Sequence, residues 1–350
     1  MPQGTRDSVG TEPNPRQAKL GVAWRWTLGA VVSLALLVLS LRGVDVFGAW
    51  RSATEANLPL LGAALLAIIA ATVIKAARWR LMFYPGHRRL HLPAFVACFL
   101  VGQAVNAVVP ARLGELARAW MIGEKEGVSK AHALWTAAIE KVLDAAALLV
   151  CIAILGLWLQ LPPWLHQARW TLTAAVVIVL FGCAALLTFR TRALAWVDGL
   201  AERVPWVRRG RISMLAHTIV DSLQLMHEPA LLGGLVAWSA VAFATQALAS
   251  WLVGSAMDMS LSFRAALLLL SVLQISAVVP IPTSPGRVGL YHYLCIVTLA
   301  IFHVPSQEAL AYAVVLHIVT YLPMAIGGPL GLLAMSYGWR DLQAALRTRQ

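Results

Sequence analysis

The chain has 350 residues, of which 59% are hydrophobic and 13% charged, and its formal net charge is +12 at pH 7. A soluble domain carries about a quarter charged residues, so the composition excludes an ordinary soluble protein and describes a polytopic membrane protein. The basic excess does not mark a nucleic-acid binder, because Lys and Arg are not gathered on a polar domain interleaved with aromatics; no nucleic-acid partner is expected.

In chain order, residues 1–22 form a polar segment rich in Pro, Gly and charge, expected to be a disordered cytoplasmic tail. Apolar runs near the roughly 20 residues that a spanning helix needs follow at Trp26 to Leu41, Leu58 to Ala77, Ala131 to Leu159, Trp170 to Phe189, Ala230 to Met257 and Glu308 to Tyr337. Two further apolar stretches, Pro93 to Val109 and Ala265 to Pro280, end in a repeated phrase. It reads Pro110-Ala111-Arg112-Leu113-Gly114 and, 175 residues later, Pro285-Gly286-Arg287-Val288-Gly289. A helix breaker, a guanidinium and a glycine belong inside a bilayer only where protein encloses them.

Basic residues cluster before the first run (Arg6, Arg16, Lys19, Arg25), after the second (Lys75, Arg78, Arg80, Arg88, Arg89), after Phe189, and at the C-terminus. By the positive-inside rule these four regions are cytoplasmic. Residues 93–130 then begin and end inside, and residues 263–304 begin and end outside, so each is expected to be a re-entrant hairpin and the two enter from opposite faces. The expected fold is an all-α polytopic membrane protein of inverted repeats, with six full transmembrane helices and two re-entrant helical hairpins, about eight hydrophobic segments in all. Its halves are 23–189 and 230–337, joined by a cytoplasmic amphipathic connection at 190–229 and closed by a basic tail at 338–350. Both termini are expected in the cytoplasm, and the membrane is expected to be a bacterial plasma membrane.

The halves correspond further: after a two-residue insertion an offset of 177 pairs Ser129 with Ser306, Glu140 with His317 and Asp144 with Tyr321. Repeats built around broken helices are a transporter architecture with the site near the midplane. Arg112, Glu115 and Arg118, at i, i+3 and i+6, share a face if the returning arm is helical. Two guanidiniums with one carboxylate suit a lipid phosphate, which the planar donor fork grips bidentately, and the broken helix adds free N–H groups and a dipole end. Glu140 and Asp144, one turn apart, are expected to hold the hairpin arginines when no lipid is bound.

Each residue also has a plainer reading. Glu140, Lys141, Asp144, Arg112 and Arg118 can serve only to pin the hairpin, Arg287 to snorkel to headgroups, Asn106 to cap an open carbonyl, and His292 and His317 to fill the interior. The tryptophans read mostly as interface anchors. Cys98, Cys151, Cys183 and Cys295 are too widely spaced for a disulfide framework or a zinc site, and no P-loop, dinucleotide fingerprint or His-Glu-x-x-His is found. No cofactor or metal is expected.

The run Asn106 to Arg118, then Glu140-Lys141-Val142-Leu143-Asp144, then Pro285 to Gly289 resembles the lysylphosphatidylglycerol synthetase transmembrane family, also called flippase-like, over about Leu58 to Met335. Members of that family move a modified phospholipid between leaflets, often fused to a soluble aminoacyltransferase domain. The present chain leaves no room for that domain, so the resemblance implies translocation of an anionic or modified lipid and no enzymatic activity. It departs from the family at His292, where a Glu is common, and at His317, where a basic residue is usual. The expected substrate-binding set is Asn106, Arg112, Glu115, Arg118, Glu140, Lys141, Asp144, Arg287, His292 and His317. Membrane lipids are the expected partners, and a separately encoded glycosyltransferase or aminoacyltransferase is a candidate partner. Two other functions stand beside this one: a membrane-embedded enzyme acting on a lipid phosphate with Glu140, Asp144 or His317 as acid or base, and an anchor subunit for a separate lipid-modifying enzyme.

Overall fold

The computed structural model describes residues 31–41, 45–109, 113–159, 228–278 and 284–335, with scattered positions between 163 and 181. The expected tails, residues 190–227 of the connection, most of the Trp170 run and Arg112 lie outside the described residues. Within them the fold is all α, with no strand. The helices are α1 (Val31–Leu41), α2 (Val46–Thr54), α3 (Leu58–Leu81), α4 (Leu92–Val108), α5 (Gly114–Glu126), α6 (Lys130–Leu155), α7 (Pro229–Ala256), α8 (Phe263–Val278), α9 (Val288–Ala300) and α10 (Ser306–Ala334).

Local chemistry sets these boundaries. Asn57 accepts from the Leu60 N–H to open α3, and Ser129 accepts from the His132 N–H to open α6, each satisfying one orphan donor of a first turn. Prolines occupy the first turn of α3, α4 and α7, where a missing N–H is harmless. Gly127 ends α5 with φ +68°, the left-handed cap that glycine adopts freely. Helices α3, α7 (from Ala230) and α10 are long and apolar enough to cross a membrane. Helix α6 has 26 residues but carries Glu140, Lys141 and Asp144 in its middle.

The paired helices are shorter. At about 1.5 Å per residue, the 17 residues of α4 and 13 of α5 reach roughly 25 and 20 Å, less than the ~30 Å hydrocarbon core. The 16 residues of α8 and 13 of α9 are alike. Both pairs are therefore helices broken at the repeated phrase. In the second break Pro285–Arg287 form one 3-10 turn, with Gly286 at φ +68° and Arg287 at φ +57°.

The order long helix, broken pair, long helix occurs twice, as α3 to α6 and as α7 to α10. Helix starts show the offsets directly. Leu58 and Leu92 precede Pro229 and Phe263 by 171 residues each, while Ser129, the cap of α6, precedes Ser306 by 177. The halves interleave: α4 packs on α10 and α8 on α6, while α3 runs along α7. The α4–α10 crossing is made by small residues. A Cβ added at Gly327, Gly328 or Gly331 would press on Leu100, Ala104 and Ala97 respectively, the close approach that small-residue faces allow in membrane helices.

Candidate functional site

The site is built where the first break meets α3 and α6. Asn106, near the end of α4, accepts from the Gly114 N–H at 2.8 Å and donates to both Glu115 oxygens at 3.2 Å. It therefore caps α5 from the facing arm and orients Glu115 at the same time. Glycine is required at 114, since a Cβ there would lie 2.0 Å from the Gly102 carbonyl oxygen and 2.6 Å from Asn106. One turn along α5, Arg118 is buried, with its guanidinium 4.7 Å from the Trp79 ring and 5.1 Å from Phe99. Its Nη2 lies 2.7 Å from Glu140 Oε2, an ion pair by distance whose angles are not those of a hydrogen bond. Lys141 Nζ pairs with Glu115 Oε1 at 3.1 Å.

Glu140 thus holds the hairpin arginine Arg118, whereas the partner of Asp144 among the described residues is Arg78 of α3, and Arg112 lies outside them. Asp144 Oδ1 receives Arg78 Nη2 at 2.6 Å, and the same nitrogen lies 3.6 Å from Glu140 Oε1. Arg78 also donates to the Ser239 hydroxyl of α7 at 2.7 Å. Its side chain is 1% exposed, so it is not one of the cytoplasmic flanking charges with which its position in the sequence grouped it. The physical reason is the partner set: two carboxylates and a hydroxyl reward turning the last turn of α3 inward. Lys75, grouped with it, also points inward, donating to Gln246 Oε1 at 3.2 Å.

These residues line two adjoining chambers. One, of about 180 Å³, is walled by Asn106, Glu115, Arg118, Glu140, Lys141 and Asp144. The other, of about 270 Å³, is walled by residues of α3, α4, α7, α8 and α10 together with Arg287 and Tyr291. Lys75, Gln103, Asn106 and Gln274 line both. Among the described residues, and counting Arg78, which lines neither chamber but pairs with Asp144, five cations (Lys75, Arg78, Arg118, Lys141, Arg287) stand against three carboxylates (Glu115, Glu140, Asp144), an excess of two positive charges.

The second break faces the larger chamber with different chemistry. Arg287 donates to Ser276 Oγ at 2.6 Å. His292, whose Nδ1 contacts the Val288 carbonyl, stacks on His317, and His317 stacks on Tyr321 at 4.1 Å between centroids. His292 and His317 thus form an aromatic column behind the wall, and neither lines the chambers. His317 and Tyr321 stand where the 177-residue offset puts the counterparts of Glu140 and Asp144, so an ion-pair network in one half is replaced by stacked rings in the other.

Sequence reasoning did not single out Gln103, Gln246, Gln274 or the inward roles of Lys75 and Arg78. The signal was present: an offset of 171 pairs Lys75 with Gln246 and Gln103 with Gln274. Among the described residues no group of three or more His, Cys, Asp or Glu forms a candidate metal site.

The fold and this polar cavity among apolar helices define an all-α, multi-pass membrane protein. The chain matches the family described as Lysylphosphatidylglycerol synthase TM region over residues 26–328, and it belongs to that family. Its function is accordingly related to membrane lipids. No curated protein and no solved structure matches the chain significantly.

Proposed function

We propose that the protein is a lipid translocase, moving an anionic or modified lipid between leaflets through the cavity between its two broken helices. The observation that carries this reading is the excess of two positive charges around a cleft walled by the long apolar helices, which suits a phosphate carried through a medium hostile to bare charge. The twice-occurring order of elements supports an inverted repeat with re-entrant hairpins, the arrangement in which a midplane site opens to either side. In this reading the plasma membrane is bacterial, both termini are cytoplasmic, and a separately encoded glycosyltransferase or aminoacyltransferase supplies the modified lipid.

Transport is favoured over an enzyme because each cavity carboxylate is engaged by a cation: Glu115 by Lys141, Glu140 by Arg118, and Asp144 by Arg78. A neighbouring cation stabilises the ionised carboxylate and makes it a poorer proton acceptor than a free one. It is favoured over a bare anchor subunit because an anchor has no use for an internal charged cavity. The test is reconstitution into vesicles with acyl-labelled lipids and chemical quenching of the outer leaflet. Accelerated exchange of at least one anionic lipid is expected; rates equal to those of protein-free vesicles across an anionic panel would overturn the proposal.

A further inference from the structure

The two breaks are closed by different parts of the chain. In the first, α4 lies against its own returning arm: Asn106 caps Gly114, and the Gly102 carbonyl leaves no room for a Cβ there. In the second, an offset of 171 puts Ala277 where α4 carries Asn106, so α8 has no side-chain amide to offer at that position. The cap comes instead from α1, outside the repeated unit: the Ser284 N–H donates to Ser33 Oγ at 2.7 Å. Gly289, the counterpart of Gly114, faces α1 as well, since a Cβ on it would overlap the Ser33 carbonyl. Ser284 and Gly289 flank Arg287, which lines the larger chamber. Helix α1 therefore stands against the second break in the place that α4 takes at the first.

Little holds α1 in that place. Of its residues only Ser33 and Ser40 are buried, and the Ser40 hydroxyl is returned to the Leu36 carbonyl of its own helix at 2.7 Å. Its larger side chains Val31, Leu34, Val38 and Leu39 are exposed, where lipid surrounds them whether α1 is seated or not. Between membrane helices apolar contact only replaces equal contact with lipid, so the seat rests on close small-residue packing and one interhelical hydrogen bond. We propose that α1 is a lid on the second break and that Ser33 is the residue that positions it. Seated, α1 shuts the chamber beside Arg287 from the surrounding lipid; withdrawn, it opens a sideways passage for acyl chains. A lipid needs such a passage, because its head crosses inside the protein while its tails, costly to move out of hydrocarbon, stay in the bilayer. Ser33 acts through Ser284 and touches no substrate. This deepens the translocase reading and rests on it.

The test uses the full chain with Cys151, Cys183 and Cys295 replaced and Cys98, buried in α4, kept as an internal control. Ser284→Cys, at a position whose hydroxyl oxygen is buried, reports on the lid through its rate of reaction with a small maleimide. Adding Ser33→Ala is expected to speed labelling at position 284 about threefold, the size of one interhelical hydrogen bond in a membrane, and to leave Cys98 unchanged. Ser33→Thr, which keeps the hydroxyl, is expected to retain the slow rate. In a background that also lacks Cys98, Ser33→Cys and Ser284→Cys joined by a short reducible cross-linker are expected to stop exchange of acyl-labelled phosphatidylserine, phosphatidylglycerol and phosphatidic acid in phosphatidylcholine vesicles, and reduction to restore it. That comparison sets two forms of one protein side by side and serves also if Ser33→Ala does not purify. If position 284 labels no faster in Ser33→Ala, if Cys98 speeds up in step with it, or if the cross-linked protein exchanges lipid as fast as the reduced one, the lid falls and the translocase reading stands. If the reduced protein moves no anionic lipid, both fall.

Discussion

Arg78 and Asp144 meet at 2.6 Å between α3 and α6, and this contact ties the wall of the cavity to the helix that precedes the first hairpin. Glu140, one turn away on α6, sits between Arg78 and Arg118, so α3, α5 and α6 are joined by one chain of charges. Removing one member of a buried pair leaves an uncompensated charge. Arg78→Gln is therefore expected to destabilise the protein by about 3–5 kcal/mol, read by denaturant unfolding in detergent. The double variant Arg78→Met, Asp144→Leu is expected to be milder than Arg78→Gln. A loss under about 1 kcal/mol for Arg78→Gln would show that solvent screens the pair.

Gly114→Ala is expected to disrupt the first hairpin, because the new methyl would meet the Gly102 carbonyl, which is backbone and cannot swing aside. The matched control is Gly62→Ala in α3, where nothing lies within 4 Å and a helical alanine is expected to add roughly 0.5–1 kcal/mol. Melting temperatures of the two variants should move in opposite directions.

Arg118→Lys keeps the charge and loses the planar face that packs on Trp79 and Phe99. The expected loss of stability is about 1–3 kcal/mol, from cation–π contacts of about 0.5–2 kcal/mol and a poorer ion pair with Glu140. If Arg118 also contacts the lipid phosphate, transport should fall further than the melting temperature alone predicts. A fully stable and fully active variant would leave Arg118 no role in either.

The membrane orientation has its own check. A cysteine at Gly127 is expected to react with an impermeant maleimide only from the cytoplasm, and one at Ser306 only from outside. Native Cys98, Cys151 and Cys295 are buried, and Cys183, outside the described residues, is replaced in the labelling background. Labelling of both sites from one face would overturn the opposed-hairpin topology.

Much of this arrangement is legible in the chain, and its gaps have physical causes. Pro110 and Gly114, like Pro285 and Gly289, announce breaks because each pair brackets a guanidinium; proline and glycine alone do not, since α10 stays helical through Pro323, Gly327 and Pro329. The 177-residue offset was visible because Glu140 and Asp144 are conspicuous in an apolar run. Lys75 and Arg78 were misjudged because a cation in the last turn of an apolar helix reads identically whether it reaches for headgroups or turns inward. Only its partners decide, and Asp144 and Ser239 lie 66 and 161 residues away. Gln103 and Gln274 are marked only by their shared 171-residue offset, since a glutamine in an apolar helix has no phrase around it. Asn106 was expected to cap an open carbonyl, whereas its own side-chain oxygen accepts from the Gly114 N–H of the facing arm.

The crossing of α4 on α10 through Gly327, Gly328 and Gly331 makes the molecule indivisible. The first hairpin's leading arm finds its close-packed seat on the last long helix, while α8 of the second half leans on α6 of the first. A fragment comprising one half would present bare glycine or alanine faces to lipid, with nothing of the right shape to fill them. Because α4 is seated on α10, a displacement of either carries the other with it, and the units that pack as one are drawn from both halves.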